Sequence, residues 1–160
     1  MLRSPLRIYR VDMQGSLRPS VVPTAPLENR EVLRRFALVC AVLAPVAIVL
    51  GQVFLRVTGV PEGFPPLTPL PLLSGVFGGA LLAALGYVAL RALIRDPQRL
   101  NTGFVVAGAV ILVASFALPL RLSFTTAPRF AGVTFPAQLA LMFLHSLVVG
   151  TNLWAYTRRV

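Results

Sequence analysis

Four long apolar runs constrain this chain more than any other feature. They cover about residues 36–57, 70–94, 102–120 and 135–157. Each matches the ~20 apolar residues that a helix needs to cross the hydrocarbon of a bilayer. Of the 160 residues, 56% are apolar and 12% are charged, the latter about half the share of a soluble domain. This excludes an ordinary water-soluble globule and a disordered chain. It also leaves no length for a soluble catalytic domain. The expected fold is an all-α integral membrane protein, with four transmembrane helices in an antiparallel bundle joined by short loops.

The flanks of the runs set the expected organisation. Residues 1–35 read as a tail, with Pro5, Pro19, Pro23 and Pro26 and seven arginines. Proline breaks helices and removes donors, so this segment is expected to be disordered or polyproline-like until Asn29 caps the first helix. Its polar part is too long for a signal peptide, and no small-residue cleavage site follows the first apolar run. Residues 36–157 form the transmembrane domain, and 158–160 a short end.

All 15 basic residues are arginines; with five acids the net charge is +10. Counting by segment places 12 arginines on the side of both termini and three, Arg56, Arg121 and Arg129, on the other. By the positive-inside rule both termini are then cytoplasmic. This distribution accounts for the charge without a nucleic-acid partner. The absence of lysine beside abundant Ala, Val, Leu, Gly and Pro points to a GC-rich bacterial source, hence a bacterial cytoplasmic (inner) membrane. The tail's arginines suit anionic lipid headgroups. Arg56 and Arg121, at outer helix ends, read as snorkelling anchors that could also attract an anion.

Within the runs, Pro45 should kink the first helix. The five prolines from Pro61 to Pro71 should hold the next loop stiff and extended. Gly75, Gly79, Ala83 and Gly86 make a small-residue stripe on the second helix, expected to pack closely within the bundle or along a dimer seam. Trp154, Tyr156, Arg158 and Arg159 resemble an aromatic belt at a membrane exit. Cys40 is alone, so an intrachain disulfide or Cys-based zinc site is excluded, and it reads as a small packing residue.

Groups able to do chemistry are few. All five acids, Asp12, Glu28, Glu31, Glu62 and Asp96, lie in the tail or loops, so no carboxylate pair sits in the membrane core. No GxSxG, HExxH or P-loop pattern occurs. The exception is the fourth run, where Gln138, His145 and Asn152 recur every seven residues and share one helix face. Hydrocarbon cannot satisfy these groups, so the face should point into the bundle or at a partner, with Ser115 or Gln52 as candidate partners for His145. Two readings stay open. The stripe is interhelical glue, or His145 contacts a ligand: a tetrapyrrole metal as a single axial ligand, a quinone oxygen or a translocated proton. No multi-ligand metal site can be built.

Phe64-Pro65-Pro66-Leu67 with Pro69, Ser115-Phe116-Ala117-Leu118-Pro119 and Leu141-Met142-Phe143-Leu144-His145 together resemble a family of small four-helix bacterial membrane proteins catalogued as a domain of unknown function. The resemblance spans about residues 36–157. It implies the four-span topology and matches His145 to a histidine of that family. The expected role is a non-catalytic accessory or structural subunit of a larger membrane complex. It would pack through small-residue helix faces, with other membrane subunits as partners, and anchor through its tail. The alternative is a homo-oligomeric small transporter, channel or sensor that uses the Gln138/His145/Asn152 stripe. No cofactor is required by the sequence.

Overall fold

A computed structural model describes residues 9–11, 17–19 and 26–158. Four helices are long and apolar enough to cross a membrane. They are α1 (Asn29–Val57), α2 (Pro69–Leu93), α3 (Pro97–Ser115), continued after a break by α4 (Ala117–Arg121), and α5 (Phe135–Thr157). The start of α1, the α2–α3 turn and the end of α5 meet at one end of the bundle, here the terminal end. The opposite end is the loop end. Two short strands, β1 (Tyr9–Val11) and β2 (Leu17–Pro19), pair antiparallel with Arg10 opposite Arg18. This ribbon replaces the expected disordered or polyproline path at those residues. The rest of the reading of residues 1–25, and Arg159, lies outside the described residues.

Helix α1 begins seven residues before its apolar run. Asn29 is its first helical residue, and Glu28, in an extended conformation, occupies the cap position instead. The polar first turns hold because Glu31 pairs with Arg34 and Arg35 (3.5 and 2.9 Å), one helical turn away. At ~1.5 Å per residue a 29-residue helix outruns a ~30 Å hydrocarbon layer, so these turns project beyond it. The helix runs on through Pro45.

The terminal end is tied by buried arginine and tyrosine. The Arg35 guanidinium donates to the carbonyls of Ala155 (2.5 Å) and Arg158 (3.2 Å) at the end of α5. Those carbonyls lack helical partners, so the guanidinium caps α5 from α1. Arg91 of α2 reaches the Leu27 carbonyl and the Asn29 side chain. Tyr87, Phe104 and Tyr156 stack with ring centroids 5.5–5.6 Å apart. The Tyr87 hydroxyl accepts from Leu27 N–H, and that of Tyr156 donates to the Val32 carbonyl. Tyr156 is therefore a core residue rather than part of an aromatic belt. Trp154 is exposed, with Arg158 over its ring at 4.7 Å.

A second core fills the loop half. Val60, Phe64 and Leu67 of the α1–α2 loop are buried against Leu43, Ala47 and Leu72. The loop is thus not extended. It turns at Gly59 and Gly63, whose φ values of +70° and +76° favour glycine, and closes in a 3₁₀ turn at Pro65–Leu67. Burial of Phe64 and Leu67 draws it in, and Pro65 and Pro69 sit at first helical positions, where a missing N–H costs nothing.

Helix α3 starts five residues ahead of its expected span. Asp96 caps it by accepting from Arg99 N–H at 2.7 Å, with Pro97 next in sequence. Its far end breaks at Phe116, whose N–H is shared between the Leu112 and Val113 carbonyls (3.3 and 3.2 Å). Pro119, three residues on, has no N–H to give to Ser115, which explains the break. Helix α5 keeps its expected limits because Thr134 caps it, accepting from Ala137 N–H and donating to the Thr58 carbonyl.

Candidate functional site

The break in α3 leaves a cleft in the loop half of the bundle. Its volume is about 880 Å³, within the range of sites that hold drug-sized molecules. One wall is the first half of α2, from Pro71 through Gly75 and Gly79 to Leu82. The other is Ile111 and Ser115 of α3 with Leu118 and Pro119 of α4, and α5 forms the floor with Leu144, His145 and Val148. The helices are close at the floor because Gly79 lacks a side chain: a Cβ there would lie 2.7 Å from Val148. Gly108 plays the same part between α3 and α5, where a Cβ would lie 2.5 Å from Leu153. Helix α3 buries only Leu100 and Phe104, both toward the terminal end. None of residues 105–115 is buried, and the cleft lies between this half of α3 and α2.

Most of the lining is apolar. The polar members are Ser115 and His145 in the cleft and Arg121, Thr125 and Thr126 at its loop end; no carboxylate lines it. His145 is half-buried and makes no hydrogen bond among the described residues. Ser115 donates to the Leu112 carbonyl at 2.7 Å, which leaves its oxygen free to accept. Gln52, the other candidate partner for His145, is exposed. The structure thus brings His145 and Ser115 to one cavity without joining them by a bond. No further His, Cys, Asp or Glu lines that cavity, and no group of three such residues occurs among the described residues.

The seven-residue stripe divides into different environments. Gln138 is buried and donates to the Pro119 carbonyl (3.0 Å) and to Ser123 (2.5 Å), so it fastens α4 to α5. Asn152 is buried near the terminal end; its amide donates to the Val148 carbonyl at 2.8 Å, and its Oδ1 has no partner among the described residues. Only His145 opens onto the cleft. A buried unsatisfied acceptor costs about 1–3 kcal/mol. Asn152→Leu is therefore expected to raise the thermal stability of the detergent-solubilised protein. A fall instead would mean that Oδ1 has a partner in the folded chain.

The four small residues of α2 also divide. Gly79 packs against α5. Gly75 and Gly86 face space that a Cβ would not fill, as does Gly78, and Ala83 is half-buried beside the terminal core. The buried stripe is Leu72, Val76, Ala80, Ala84 and Tyr87, rotated to the next residue along. The glycine that brings α1 onto α2 is Gly51. A Cβ on it would collide with Leu72 and sit 2.9 Å from the Leu67 carbonyl. Sequence reasoning missed Gly51, although Ala47 four residues before it was a signal, and Gly108, which has no small residue three or four positions away.

No family model, curated protein or solved structure matches this chain. The geometry alone carries the functional reading.

Proposed function

We propose that this chain works by binding rather than catalysis, as an accessory subunit of a larger assembly in a bacterial cytoplasmic membrane, with both termini in the cytoplasm. The observation that carries the reading is the incomplete cover of the bundle. Val105, Val106, Val110, Ile111 and Val113 of α3 are all exposed, and Gly78 of α2 faces open space. Helices in lipid gain little from burial of apolar surface alone. They associate where small residues allow close van der Waals approach, and open glycines provide that. The thin inventory of acids and nucleophiles in the spans supports a non-catalytic role. The transporter alternative draws less support, since Gln138 is engaged with α4 and Asn152 lies away from the cleft.

Gly78→Leu tests the reading. Nothing lies within 4 Å of a Cβ on Gly78, so the variant should fold like the parent. It is expected to drop out of the native assembly extracted in mild detergent. If the parent itself runs alone, at a small multiple of 17.2 kDa with no other protein, the subunit role is wrong.

A further inference from the structure

We propose that the cleft beside α3 is a binding site for an anionic phospholipid. Its phosphate would sit at Arg121 and one acyl chain along the apolar wall of α2. Three observations on different parts of the cleft agree.

First, the cleft is built from spanning helices and opens where their exposed side chains, such as Leu82 and Leu118, face outward. If these helices span a membrane, the molecules at that opening are lipids. A half-enclosed apolar trough suits one chain of a lipid whose other chain stays in the bilayer.

Second, the charge is one-sided. Arg121 lines the cleft with the hydroxyls of Thr125 and Thr126 beside it, and no carboxylate faces it. Among the described residues the ion pairs are those of Arg34 and Arg35 with Glu31, so Arg121 is without an acidic partner. Guanidinium and adjacent hydroxyls match the oxygens of a phosphate.

Third, polar groups lie deeper on the same side. The Gln138–Pro119 bond places α4 level with Gln138. His145 lies seven residues further along α5, about 10 Å at 1.5 Å per residue, and Ser115 lies four residues back from Pro119, about 6 Å on the same scale. A glycerolipid carries its ester carbonyls on the chain side of the phosphate, so His145, which makes no hydrogen bond among the described residues, is placed to donate toward them.

The test uses the full chain carrying Leu118→Trp in a Trp154→Phe background, reconstituted in phosphatidylcholine vesicles. The remaining tryptophan then reports lipids at the cleft. Brominated phosphatidylglycerol is added at low fraction and compared with brominated phosphatidylcholine. We expect the anionic lipid to associate roughly tenfold more strongly, the factor that about one charge-assisted hydrogen bond supplies. Arg121→Gln should abolish that preference and Arg121→Lys should keep part of it. Oleate, which offers an acidic head without a glycerol ester, should compete weakly. Equal quenching by the two brominated lipids overturns the proposal, as does a preference that survives Arg121→Gln. Oleate competing as well as the phospholipid overturns the glycerolipid assignment. Crosslinking of Leu118→Cys to a second copy or another protein, in place of lipid contact, also overturns it. These outcomes do not depend on whether Gly78→Leu leaves the native assembly.

Discussion

Replacing Arg35 by methionine is expected to open the terminal end of the bundle and cost about 3 kcal/mol of stability, the scale for removing one member of a buried charged network. Arg35 is 7% exposed, and three separate groups depend on it. Glu31 accepts from it at 2.9 Å, and the Ala155 and Arg158 carbonyls accept at 2.5 and 3.2 Å. Ala155 belongs to the last turn of α5 and Arg158 caps it, and neither carbonyl has a helical partner among the described residues. Methionine keeps much of the apolar stem, so the loss reports the guanidinium rather than packing. Cys40, the free thiol and itself buried, lies little more than one turn further along α1 and serves as the reporter. If opening of this end exposes it, a loss of ~3 kcal/mol corresponds to about a hundredfold faster labelling by a maleimide. Arg34→Met is the control. Its side chain is 69% exposed and its bond to Glu31 is 3.5 Å, so it should change labelling little. Equal effects of the two variants would show that the arginine–carbonyl contacts contribute nothing.

Counted along the chain, Arg35 and Arg91 are two of the 12 arginines on the side of both termini. In the fold they are struts that satisfy the carbonyls of Ala155, Arg158 and Leu27. A count of charges gives an expected orientation. Partner identity depends on how α1, α2 and α5 end beside each other, which is not a local property. The helices themselves were legible because span length is set by the bilayer and marked by apolar runs. The limits of α5 were legible because Thr134 and Pro136 are local start signals. The start of α3 is less legible, because the polar residues that follow Asp96-Pro97, an equally good start signal, resemble a loop. The cleft was not legible. It exists because Pro119 cannot donate to Ser115 and the chain turns there, while Gly79 and Gly108 let α5 stay close. None of those residues carries chemistry of its own. Arg121 was visible as a boundary charge, and His145 and Ser115 as polar groups in apolar runs, but their sharing of one cavity is a product of packing.

Glycine makes the same point with an opposite sign at two positions, and this yields the other large effect. Gly51→Ala is expected to destabilise the protein by about 2 kcal/mol, the cost of overpacking a close contact, and Gly51→Leu to prevent the native α1–α2 packing. Alanine is the better helix former by about 1 kcal/mol, so on propensity alone Gly51→Ala should stabilise α1. The packing decides against it. Leu72 could swing away from a new Cβ, but the Leu67 carbonyl at 2.9 Å belongs to the backbone of the 3₁₀ turn. Moving it shifts the loop that buries Phe64 and Leu67 under the bundle. At Gly78, where a Cβ meets nothing within 4 Å, the same substitution should instead raise the isolated chain's stability by up to ~1 kcal/mol, the propensity gain alone. Thermal unfolding of both variants in one detergent measures the contrast directly. A loss at Gly51 with a gain at Gly78 would place the close helix contact at α1–α2. A gain at both would mean that α1 and α2 do not approach to backbone contact there, and the loop-end packing described above would have to be redrawn.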